Sequence, residues 1–261
     1  MTWMQRLVAV AAVGVATAAA ANERHFGFTY ETAVLPPGER EVEVWITPRV
    51  GREEHYLRFD NRVEFEVGLM DRLMTAFYLN GNALSERVGD GLQSSFEFAG
   101  VSSEWKYKLL DPVADPLGLS IYGEVTWSPT VVELEAKLIL DKRIGRVLLA
   151  ANVVVEQELG LELNRVAPET DIELDLAAGY YLTDRLILGL ELRNVNVVVP
   201  AGWAYSALYF GPTLAYAREN WWVSLSIQPQ LPALKRSAPA SLLVLDDQER
   251  FNARLLFSLK I

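Results

Sequence analysis

The sequence predicts an all-β fold: one closed antiparallel transmembrane β-barrel of about twelve strands, with N- and C-termini on the same side. Three observations predict it. Residues 251–261 alternate strictly, Phe251, Ala253, Leu255, Phe257, Leu259 and Ile261 against Asn252, Arg254, Leu256, Ser258 and Lys260, as in a strand with one apolar and one mostly polar face. The first 21 residues read as an export leader, and no cysteine follows. Mean hydropathy is slightly positive, yet nothing after the leader is long enough for a transmembrane helix. A barrel hides that apolar content in every second residue.

The leader comes first. Arg6 supplies the positive end, Leu7 to Ala16 the apolar stretch, and Ala19 and Ala21 the small-residue cleavage pattern, so cutting is expected before Asn22. An uncleaved anchor would need about 20 apolar residues, more than residues 7–21 provide. Residues 22–38, ending in Pro36, Pro37 and Gly38, are expected as a periplasmic arm ahead of the barrel, residues 39–261. The formal charge of −10 becomes −11 once Arg6 leaves, which argues against nucleic acid as a partner. Without cysteines there is no disulfide framework.

Alternation then marks the strands. Val42, Val44 and Ile46 alternate with Glu41, Glu43 and Trp45; Leu57, Phe59, Val63, Phe65 and Val67 alternate with Arg58, Asp60, Arg62, Glu64 and Glu66. Val132, Leu134, Ala136, Leu138 and Leu140 alternate with Glu133, Glu135 and Lys137, and Ile172, Leu174 and Leu176 with Glu173 and Asp175. Strands are expected at 39–50, 55–68, 73–80, 93–109, 118–128, 131–140, 145–158, 170–182, 186–198, 203–217, 221–229 and 249–261.

Turns set the count. Leu69 to Leu73 and Leu182 to Leu186 are near copies of one tight turn. Leu140 to Ile144 repeats the pattern around Asp141, Lys142 and Arg143, with Gly145 as an expected bulge. Residues 110–117 and 218–220 complete five short turns on one side. Twelve strands follow, although ten or fourteen also satisfy an even count. The opposite connections fall near 51–54, 81–92, 129–130, 159–169, 199–202 and 230–248. A four-residue tip at 51–54 keeps charged residues on one face and sets Glu43 across from Arg62. A soluble periplasmic sandwich is the rival fold.

Residues 30–38, the run through Glu41 and Glu43, and the Gly68 to Leu73 turn resemble an uncharacterised bacterial group of outer-membrane transporter barrels. That group is similar to the barrel family associated with meta-cleavage pathways of phenol degradation. The resemblance implies a closed barrel and passage of small, often hydrophobic compounds, and no catalytic residues. Strands closing such barrels usually end in Phe or Trp, whereas this chain has Ile261.

The charged face belongs in the lumen, because Arg or Lys on the lipid side at mid-depth costs about 2–4 kcal/mol. Candidate lumen residues are Glu41, Glu43, Arg58, Arg62, Glu64, Glu66, Glu124, Glu133, Glu135, Glu173, Asp175, Glu191, Arg193 and Arg254, joined by Asp60, Lys137 and Glu156. Either they line a water-filled path favouring cations or neutral polar solutes, or they cross-link a filled barrel. Arg58 and Arg62 are expected near Glu41, Glu43, Glu64 and Glu66, where forked guanidinium pairs would hold a plug, constrict a pore or stiffen the wall. Trp45, Trp105, Trp127, Trp203, Trp221 and Trp222 suit interface girdles, with sugar or aromatic binding the minority reading.

Loop 230–248 carries Lys235, Arg236 and the apolar run Leu242, Leu243, Val244, Leu245, a candidate gate or lipopolysaccharide contact. Chemistry is sparse. His25 and His55 are the only histidines, no serine is close to His55 in sequence, and Asp246 with Asp247 is only a fragment of a calcium loop. No enzyme, cofactor or metal is expected. Expected partners are outer-membrane lipid and lipopolysaccharide, the assembly machinery and a small-molecule solute, in a Gram-negative outer membrane. A channel or transporter leads the functional readings, ahead of a non-conducting structural or surface-interaction barrel.

Overall fold

The computed structural model describes residues 23–161, 169–238 and 241–261. The expected leader, Pro239 and most of the loop expected at 159–169 lie outside the described residues. Twelve strands follow in order: β1 Arg40–Val50, β2 Tyr56–Met70, β3 Leu73–Val88, β4 Gly91–Leu110, β5 Gly118–Trp127, β6 Val131–Ile144, β7 Val147–Gly160, β8 Thr170–Thr183, β9 Leu186–Val199, β10 Gly202–Ala217, β11 Trp221–Lys235 and β12 Phe251–Lys260. Each pairs antiparallel with the next, and β12 returns to β1 to close the barrel. The described residues contain no helix.

Alternation is the cause. In β12, Leu255, Phe257 and Leu259 face outward and stay exposed at 37%, 42% and 43%, with no second layer over them. Asn252, Leu256 and Ser258 face inward and are buried. Outward leucines, valines and phenylalanines recur on every strand, which closure requires of a wall with one wet and one oily face. One end of the barrel, the turn end, carries the short connections and the starts of β1 and the arm. The other is the loop end.

Four details differ from expectation. The first hairpin keeps the expected parity, but Gly51 pairs with Tyr56, so the tip is 52–55 and Glu43 stands across from Glu64, with Arg62 across from Trp45. Residues 81–92 are mainly strand: β3 and β4 pair out to a Gly89–Asp90 turn. That ribbon rises past the rim with both faces exposed, so no burial contrast imprints alternation on it. The third turn is Gly145–Arg146, with Gly145 at φ 61°, and Asp141 faces inward instead of turning the chain. β11 continues through Pro232 to Lys235 where the β10–β11 register shifts, an irregularity that accommodates proline.

Candidate functional site: the barrel interior

Residues 23–35 do not lie outside the barrel as a periplasmic arm; they fill the turn half of its interior. Phe26, Phe28, Tyr30, Thr32 and Leu35 are buried. The chain enters over β2 at Gly68, where a Cβ would stand 2.0 Å from the Pro36 carbonyl oxygen and 2.5 Å from that of Leu35. Any larger residue there would push the arm away. Buried backbone must find partners, and the wall supplies them. Glu191 accepts the N–H groups of Gly27, Phe28 and Thr29, each at 2.9 Å. Asn152 brackets Tyr30, accepting its N–H at 2.6 Å and donating to its carbonyl at 3.0 Å. Asp141 accepts the Thr32 hydroxyl at 2.6 Å.

Cations cover the arm's rings. Arg193 and Arg254 lie 4.3 and 4.2 Å from the Phe28 centroid, and Lys137 lies 4.0 Å from that of Tyr30 while pairing with Glu135 at 2.9 Å. Such contacts gain strength when desolvated. His25 bonds Glu31 through Nδ1 at 2.7 Å and Tyr181 through Nε2 at 3.0 Å. Burial lowers its pKa, but the Glu31 carboxylate outweighs that, and the net shift is upward.

Beside the arm lies an acidic belt. Glu41, Glu43, Glu64 and Glu66 are buried, in the directly opposed pairs Glu41–Glu66 and Glu43–Glu64. Glu104, which sequence reasoning missed, joins them and accepts the Tyr78 hydroxyl. Oxygens of Glu43, Glu64 and Glu66 lie within 4.8 Å of one another. Such a trio suits a hard cation, and shared protons meet the same crowding. Arg58 and Arg62 are not their partners. They sit nearer the loop end, where Arg58 pairs with Asp60 at 2.5 Å and Arg62 approaches Glu124 to 3.5 Å. Asp175 is buried across the ladder from Arg193, and Glu173 faces inward half-buried above it.

The loop half is hollow. A polar cavity of about 760 Å³ has Trp45, Arg62 and Arg254 in its lining, and Glu133, Glu156, Glu158 and Asp171 as well. Arg254 donates to Thr47 Oγ1 at 3.1 Å and to the Gly27 carbonyl at 3.3 Å, so the cavity floor rests on the arm.

Loop residues Val244 and Leu245 tuck into the mouth, Val244 packing on Val195, Val197, Tyr205 and Tyr209. Gln230 clasps Val244, accepting its N–H at 2.8 Å and donating to its carbonyl at 3.0 Å. Lys235 belongs to β11, where it bonds the Trp203 carbonyl and covers that indole at 4.8 Å. Arg236 is exposed and Leu243 half-buried, so the inward contact belongs to the next two residues. Trp105, Trp127 and Trp203 are half-exposed on the outer wall, but Trp45 and Trp222 are buried inside. His55 is exposed at a loop tip, 3.3 Å from Ser85, with no carboxylate bonded to it among the described residues.

Residues 18–260 match the model of a family of unknown function, DUF6662. The chain belongs to that family. No curated protein matches the DUF6662 chain. Among solved structures it is similar to the COG4313 outer membrane channel from Pseudomonas putida F1, with a TM-score of 0.60 at 13% identity over 87% of this chain and 97% of that one. The NanC porin follows at 0.57 and 10%, over 84% and 100%. The β domain of the Bordetella autotransporter BrkA scores 0.53 at 10%, over 86% and 100%. The DUF6662 chain thus has the fold of outer-membrane barrels, porin-like channels among them.

Proposed function

We propose that this chain is an outer-membrane channel for small polar solutes, with both ends periplasmic and its N-terminal arm restricting the path. The observation that carries the reading is the division of one interior into a hollow, polar loop half and a turn half filled by residues 23–35. Passage requires the arm to shift. The finer likeness to barrels of phenol meta-cleavage pathways would favour hydrophobic solutes, whereas the ionic lining of the cavity supports polar ones. The carboxylates of that lining support cations over anions.

A second reading, a non-conducting structural or surface-interaction barrel, draws on the same arm: three bonded N–H groups on Glu191 describe a fixed plug as well as a movable one. Planar-bilayer recording separates them. A Cβ at Gly27 would lie 2.5 Å from Ser226 Oγ, so Gly27→Val displaces the arm. A channel shows small cation-selective currents in the native chain and several-fold larger ones in Gly27→Val. Silence from both proteins, folded and inserted, leaves the structural barrel.

A further inference from the structure

The cavity is polarised across its width. Strands β2, β1 and β12 are contiguous and bring Arg58, Arg62 and Arg254 to one side; β6, β7 and β8 are contiguous and bring Glu133, Glu156 and Asp171 to the other. In a ring of twelve the two sets stand opposite each other. The acidic wall is uncompensated: Glu133, Glu156 and Asp171 form no ion pair among the described residues. On the basic wall Arg49 and Arg58 both pair with Asp60, Arg49 also nears Glu249, and Arg62 approaches Glu124, but Arg254 bonds only a threonine hydroxyl and a backbone carbonyl. One guanidinium without a carboxylate partner therefore faces four carboxylates, Glu158 of β7 among them, across a space of a size that takes a small molecule.

We propose that this cavity binds small zwitterionic solutes, an ammonium on the Glu133–Glu156–Asp171 wall and a carboxylate on Arg254. A flexible amino acid with its charged ends apart satisfies both walls at once. A simple amine or a simple carboxylate satisfies one and leaves the other unmet, which is how charged sites discriminate. Guanidinium suits the carboxylate end because its donors form a planar fork. The inference rests on the channel reading only in treating the cavity as open to solvent from the loop end.

Titration calorimetry on the full chain, folded in detergent, tests it with three probes: 6-aminohexanoate, hexylamine and hexanoate. The zwitterion is expected to bind at least tenfold more tightly than either half-probe. Arg254→Gln should bring its affinity down to that of hexylamine, and Glu156→Gln should lower it several-fold. Equal affinities for 6-aminohexanoate and hexylamine in the native chain would overturn the proposal in favour of a plain cation site, whatever the variants do. Absence of heat from all three also overturns it. Binding without bilayer current defeats the channel and leaves the site standing; current without binding does the reverse.

Discussion

Glu191 on β9 accepts the Thr29 N–H at 2.9 Å, and the neighbouring N–H groups of Phe28 and Gly27 converge on the same carboxylate. One side chain thus satisfies three successive donors of a segment that has no strand partner. Charge-assisted bonds of this kind are about twice as strong as neutral ones. The Ser226 hydroxyl also donates to Glu191, which fixes the carboxylate's orientation from β11.

Removing that carboxylate should free the arm. Glu191→Ala leaves the buried N–H groups of Phe28 and Thr29 unpaired, at about 1–3 kcal/mol each, while the Gly27 N–H keeps the Ser226 hydroxyl. Arg24, buried in the native chain, then becomes accessible. Trypsin cleavage after Arg24 in the folded barrel is expected to rise at least tenfold. An unchanged rate would mean that Glu191 does not hold the arm.

Arm seating should also depend on pH through His25. Its neighbours set the sign: burial lowers the pKa, Glu31 and then Glu23 raise it, Arg143 lowers it, and the net value lies above the ordinary 6.5. Tyr181 contacts the other ring nitrogen. A raised folded pKa means the stabilisation is complete below about 6.5 and fades as pH climbs through the folded value. Hydrogen-exchange protection of Phe28 and Thr29, corrected for intrinsic rates, should be greater at pH 6 than at pH 8.5. His25→Gln should flatten that difference, and an equal slope in the variant would exclude the imidazole as its source.

What the sequence made legible follows from where burial contrasts exist. Leu255, Phe257 and Leu259 reveal their strand because one face must be oily, and the same parity puts Glu41, Glu43 and Arg254 on the opposite face, toward the interior. Partnership between distant strands leaves no such trace, so Arg62 finds Glu124 on β5 and not the glutamates adjacent in sequence. The plug was hidden for the same reason, since its acceptors Asp141, Asn152 and Glu191 come from three different strands. Its signal was local: Phe26, Phe28 and Tyr30 alternate with Gly27 and Thr29 in a segment with no hairpin partner.

The tryptophans should divide into two classes. Trp105, Trp127 and Trp203 are about half-exposed outside, and Trp221 packs on outward-facing Phe257, whereas Trp45 and Trp222 are 4% and 2% exposed within. Interfacial indoles belong at headgroup depth. In variants retaining one tryptophan, brominated lipids should quench the outer four strongly and leave Trp45 and Trp222 nearly unaffected. Strong quenching of Trp222 would place β11 inside out.

Opposite stability effects are expected from two inward glutamates. Glu64 faces Glu43 directly, and like charges so placed are destabilising. Both Glu43 oxygens and Glu64 Oε2 lack a hydrogen-bond partner. Glu64→Gln removes one charge and offers an amide donor to Glu43, so the urea midpoint of the vesicle-inserted barrel should rise, by about 1 kcal/mol in stability. Glu124 instead accepts the Tyr122 and Thr126 hydroxyls and lies 3.5 Å from Arg62. Glu124→Gln strips the half-buried Arg62 guanidinium of its counter-charge and should lower stability by about 1–3 kcal/mol. If Glu64→Gln also lowers the midpoint, the Glu43–Glu64–Glu66 trio is held together by a bound cation or shared proton, and adding or chelating calcium tells these apart.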